Sequence, residues 1–72
     1  MTPAAREFEI VVRGRLGEAL LDAFPGFEVV TETGRQTRLR GWVVDQAALH
    51  GTIDRIGSLG IELISVQEVD EP

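Results

Sequence analysis

TRLRGWVVDQAALHGTIDRIGSLGIELISV, residues 37–66, changes period twice, and those two changes decide the fold. Over 37–44 the residues alternate. Leu39 and Val43 lie on one side with Gly41 between them; Arg38, Arg40, Trp42 and Val44 lie on the other, the period of a strand. From Gln46 the apolar residues Leu49, Ile53 and Ile56 recur at spacings of three and four, which predicts a helix over 46–59 with Asp45 as its N-cap. Gly60 is placed as a left-handed stop, and Ile61 would then meet Ile56 across a Schellman ending. IELISVQE (61–68) is extended again. Here the pattern divides, because Ile61 and Leu63 alternate against Ile64 and Val66, and neither pair is marked as core.

The half towards the N-terminus repeats the order. REFEIVVR (6–13) sets Phe8, Ile10 and Val12 against Glu7, Glu9, Val11 and Arg13, a half-buried strand that Gly14 ends. Leu16, Leu20, Ala23 and Phe24 form the stripe of a short helix, with Gly17 as N-cap and Glu18 at the positive end of its dipole. Pro25-Gly26 stops it. In FEVVTE (27–32), Phe27, Val29 and Thr31 oppose Glu28, Val30 and Glu32, and TGRQ (33–36) is a hairpin turn in which Gly34 is expected at positive φ. Residues 1–5 and 69–72 are expected to be frayed tails of one domain spanning 1–72. The order β-α-β-β-α-β most simply makes an α+β, ferredoxin-like sandwich, a four-stranded antiparallel sheet with two helices on one face and right-handed crossovers.

A chain of 72 residues buries only about 60–65 % of its unfolded surface, and such small domains commonly need a staple. There are no cysteines, so disulfides and thiolate metal sites are excluded, as is the paired-cysteine metal carriage that some domains of this fold perform. One histidine leaves no cluster of nitrogen ligands, so no metal or cofactor is expected. Oligomerisation is the remaining staple. MTPAARE has no hydrophobic signal core and no apolar run is long enough to cross a membrane, so a soluble, cytoplasmic protein is expected. The net charge of −5 opposes attraction to nucleic acid and anionic lipid. All seven basic residues are arginine.

In a two-layer sandwich one sheet face is open. By parity it carries Glu7, Glu9, Val11 and Arg13, then Glu28, Val30 and Glu32, then Arg38, Arg40, Trp42 and Val44. An apolar centre of Val11, Val30 and Trp42, with Arg38 and Arg40 as polar anchors, is the make-up of an interface. The leading expectation is therefore a non-enzymatic binding module that forms a homo-oligomer, a dimer first, or meets a protein partner or small ligand. A small-molecule-sensing domain with its ligand at a subunit boundary is the alternative. The plainer reading is a face solvated by cross-strand Glu–Arg pairs.

Arg40-Gly41-Trp42 resembles the start of the third strand in RNA-recognition modules, with Trp42 facing outward as a stacking base requires. The next outward positions are Val44 and Val11 rather than aromatics, and one ring among glutamates is a poor nucleic-acid platform. VRGRLGE (12–18) has the make-up of an anion cradle, with Arg13, Gly14, Arg15 and Gly17 as its candidate residues. Acylphosphatases hold a phosphate in a comparable loop, but they need an asparagine, and this chain has none. His50 and Asp54, at i and i+4, have the outline of a general base and its orienting carboxylate. No nucleophile accompanies them, so no catalytic residue is assigned and the chain is not expected to be an enzyme. Gly51 weakens its helix and so implies close approach by the first helix or a neighbouring subunit.

Residues 41–66 carry a further likeness. DQAALHG (45–51), with Arg55-Ile56, Leu59-Gly60 and Ser65-Val66, resembles a group of small, uncharacterised bacterial proteins. VVRGRLGEALLDAF is similar more loosely, and the group often has serine where this chain has Gly17. The resemblance implies a compact cytoplasmic protein and brings no active site with it.

Overall fold

The computed structural model describes residues 5–69. In chain order its elements are β1 (Arg6–Arg13), α1 (Glu18–Leu21), β2 (Phe27–Glu32), β3 (Gln36–Val43), α2 (Gln46–Ser58) and β4 (Leu63–Glu68). The strands make one antiparallel sheet in the order β2-β3-β1-β4, leaving β2 and β4 as its edges. Ile10, Val12 and Leu39 of the two inner strands meet Leu16 and Phe24, which flank α1, and Ile56 of α2. Leu20, Leu21, Ile61 and Val66 pack against this cluster. Each fully buried aliphatic side chain contributes about 1.5–3 kcal/mol, so these few residues supply most of the drive to fold. Thr37, fully buried beside them, satisfies its hydroxyl by donating to the Gly14 carbonyl at 2.7 Å. Among the described residues no helix is long and apolar enough to cross a membrane.

The ends of α2 follow the sequence pattern. The Asp45 carboxylate accepts the Ala48 amide at 2.7 Å, capping the first turn. At the other end Gly60 takes φ 75°, its amide bonds to the Gly57 carbonyl, and the Ile61 amide bonds to the Ile56 carbonyl, both at 3.1 Å. These are the two bonds of a Schellman ending.

The structure departs from expectation in three further places. The helix after Gly14 is a single turn, with Leu16 ahead of it and Phe24 behind it. Gly17 has no side chain with which to cap, and Pro25 disfavours helical backbone at Phe24. The chain tightens instead through Ala23 and Phe24 amides bonded three residues back. In the hairpin, Gly34 is not at positive φ. The Thr33 hydroxyl braces the turn by accepting the Arg35 and Gln36 amides, each at 3.1 Å. Finally, Val69 is tied to the sheet, its amide donating to the Glu7 carbonyl at 2.8 Å, so it is no frayed tail. Ala5 is exposed and precedes β1, and the remainder of the expected tails, residues 1–4 and 70–72, lies outside the described residues.

Two bulges complete the sheet. Between β2 and β3 the pairing passes from Val29–Leu39 to Thr31–Arg38, leaving Val30 as an extra residue. Between β1 and β4 it passes from Val12–Leu63 to Val11–Ser65, leaving Ile64 extra. Val11 and Arg38 are themselves partners, so both bulges lie on one transverse row. Each shifts the phase of its strand by one residue. Thr31, expected inside, now pairs with Arg38 on the open face. Glu32, expected outside, pairs with Thr37 on the helix side. In β4 the bulge settles the divided pattern, because Val66 opposes Ile10 and joins Ile61 against the core, one residue from each alternating set.

Candidate interaction surface

The face opposite the core is built from three rows. The middle row runs Glu28, Arg40, Glu9, Gln67 across the four strands. Glu9 is its hub: one carboxylate oxygen lies 3.1 Å from Arg40 Nε and the other 3.5 Å from Arg38 Nε. The Glu9 side chain is only 14 % exposed, and it receives both arginines of the RLRGW stretch. The register that sets Ile10 against Leu39 also sets Glu9 against Arg40, so the pairing that builds the core builds this clamp on the opposite face. The two cations are thereby committed to an internal carboxylate. That weakens them as phosphate ligands.

The row of the bulges carries Val30, Arg38, Val11 and Ile64. Val11 departs from its expected place at an accessible centre. It is 6 % exposed, hemmed by Arg38 on one side and by β4 on the other, because an inner-strand residue is covered by both neighbours on its own face. Val30 at 47 % and Ile64 at 43 % are the exposed apolar residues, one on each edge strand. Ile64 belongs to the surface only because of its bulge, and alternation gave no means of assigning it.

The third row holds Trp42, paired with Glu7. Its side chain is 57 % exposed, as an outward-facing ring must be. Beside it a groove of about 230 Å³ runs between Trp42, Glu7, Glu28, Val30 and Arg40, floored by Gly26 and Gly41. Gly41 is there for closeness: a Cβ at this position would lie 2.6 Å from the Gly26 carbonyl oxygen and 2.6 Å from the Phe27 ring. Gly41 therefore packs beneath Phe27 rather than beneath a helix.

The candidate anion loop is closed upon the chain's own groups. Arg13 pairs with Glu62 at 2.9 Å, and Arg15 with Glu32 at 3.5 Å. Glu32 also takes the Leu16 amide at 3.3 Å, so a carboxylate occupies the position where a bound anion was expected. The Gly14 amide donates to the Arg35 carbonyl, and the Gly17 carbonyl accepts from Leu20 and Leu21 within α1. His50 and Asp54 both sit on the exposed side of α2, with no ion pair between them. A Cβ on Gly51 would meet nothing within 4 Å, which corrects the expected approach of the first helix.

A larger recess of about 750 Å³ lies at the end of the sheet beside the start of α2, lined by Arg6, Phe8, Val43, Val44, Asp45 and Leu49. Arg6 there pairs with Glu68 at 3.4 Å.

No curated protein matches the chain, and no solved structure matches it. A family model described as a domain of unknown function, DUF8691, matches residues 7–67, which is well over half of the sequence and takes in both helices and nearly all of the sheet. The chain belongs to the DUF8691 family.

Proposed function

We propose that this chain is a non-enzymatic, ferredoxin-like module of the cytoplasm that pairs with a second copy of itself through the open sheet face. The strand order, read from the other edge as β4-β1-β3-β2, supports the ferredoxin-like assignment, as does a single core shared by both helical segments. The DQAALHG helix supports a place among the small bacterial proteins that it resembles.

The observation that carries the functional reading is the exposure of Trp42, Val30 and Ile64 on a face whose two arginines share the Glu9 carboxylate. Apolar side chains rimmed by paired charges gain from contact with a like surface. The edges are poorer routes to association, since both carry bulges that interrupt the row of free backbone groups. The face measures roughly 20 by 20 Å, about 400 Å² from each partner, which is the size of a weak, transient contact.

Analytical ultracentrifugation across micromolar concentrations, read together with Trp42 emission, tests this. Dimer formation with a concentration-dependent blue shift is expected. Trp42→Ala should weaken it about 30-fold, as loss of a central aromatic does, with an unchanged circular dichroism spectrum. A strict monomer with fully water-exposed Trp42 at every concentration refutes the reading.

A second reading, a small-molecule sensor, draws on the recess beside α2, whose volume is in the range of ligand sites. It requires amide NMR shifts confined to Val43, Val44 and Leu49 when a library of small carboxylates is screened. Shifts at none of these sites would dismiss it.

A further inference from the structure

We infer that Arg35 at the hairpin tip of one copy docks into the Trp42–Glu7–Glu28 groove of the other, so that the two open faces meet with their strands running in opposite directions. This rests on the self-association proposed above and names its orientation and its polar contact.

Two sets of unspent charge carry it. Arg6, Arg13, Arg15, Arg38 and Arg40 are each ion-paired, and Arg55 donates to the Ala23 carbonyl at 2.6 Å. Among the described residues Arg35 alone has a guanidinium with no described partner. Glu7 and Glu28 are the complement: both flank the groove, and neither forms an ion pair with a described residue. The groove also offers the exposed face of Trp42. Arg40 also lines the groove, but its Nε is held by Glu9 at 3.1 Å, so the ring and the two carboxylates remain a receptor for a second guanidinium, which stacks on the one and pairs with the others.

Placement completes the case. Arg35 and Trp42 stand at opposite ends of β3, seven residues and about 23 Å apart. The open face thus ends in an acidic, aromatic groove, and the opposite end of the sheet carries the exposed Arg35 at its hairpin tip. In a two-fold pair with opposed strands each tip reaches the other copy's groove, and the contact is made twice. With strands running the same way, Arg35 would face Arg35 and the four carboxylates would crowd together. Electrostatics selects the first arrangement.

The test is a charge swap followed by sedimentation. Arg35→Glu should weaken self-association about a hundredfold, about tenfold for each of the two contacts. Glu7→Arg combined with Glu28→Arg should weaken it similarly. Mixed one to one, the two variants should form a heterodimer at close to wild-type affinity, since every contact is then again between opposite charges. If Arg35→Glu associates like wild type, or if the mixture fails to recover, the docking is overturned while the dimer itself stands. If the wild type is a monomer, both fall. If, as a monomer, it instead binds an arginine-rich peptide with quenching of Trp42, the groove serves a different protein and self-docking is overturned.

Discussion

Alanine at position 41 and alanine at position 51 are the same chemical change with opposite expected signs. At Gly41 the new methyl would stand 2.6 Å from the Gly26 carbonyl oxygen and from two carbons of the Phe27 ring. The carbonyl belongs to the backbone just ahead of β2 and moves only with the strand. Overpacking of this kind costs about 2–3 kcal/mol. At Gly51 the methyl meets nothing within 4 Å, and the residue lies inside a thirteen-residue helix. There alanine gains about 0.5–1 kcal/mol by restricting the unfolded chain. Urea denaturation of both variants at dilute, monomeric concentration separates the two cases. With a slope near 1 kcal/mol per molar for so small a domain, Gly41→Ala should lower the midpoint by about 2 M, and Gly51→Ala should raise it by about half to one molar. A Gly41→Ala protein as stable as wild type would refute the β2–β3 register from which the groove is built.

Two further outcomes are expected. Asp45→Ala removes the carboxylate that holds the Ala48 amide and should cost about 1 kcal/mol in the same denaturation assay, with Asp45→Ser recovering most of it. Glu9→Gln frees two guanidiniums that are 43 % and 45 % exposed, so the loss after solvent screening is about 1 kcal/mol. The same variant should acquire weak, salt-sensitive binding to short single-stranded RNA that the wild type lacks, measured by fluorescence anisotropy. Unchanged stability together with unchanged RNA binding would show that the clamp does not operate in solution.

Most of the architecture was legible because each element carried its own punctuation. Asp45 and Gly60 bracket α2 by side-chain capping and left-handed backbone, which are local properties of single residues. Alternation in β1 and β3 identified Ile10, Val12 and Leu39 as core, and these inner strands have a neighbour on both sides to enforce it. What escaped was set by pairing rather than by local preference. A bulge inserts no characteristic residue, so nothing in FEVVTE marks Val30 as the extra one, and Thr31 and Glu32 were placed on the wrong faces in consequence. Val11 was assigned correctly to its face, yet its burial depends on Arg38 and β4 lying to either side. For the surface itself, Trp42, Val30, Arg38 and Arg40 follow from parity, and cross-strand Glu–Arg pairing is legible in kind; that the single carboxylate of Glu9 takes both arginines emerges only with the register.

The paired irregularities at Val30 and Ile64 also bear on how relatives of this chain are to be aligned. Each edge strand spends one residue more than the inner strand it follows. A homologue that shortens either edge by that one residue would keep its interior intact while transposing everything beyond the gap. The counterpart of Glu32 would then turn away from the loop it braces, and an aligner that places the gap inside a neighbouring turn would mistake a transposed strand for a diverged one.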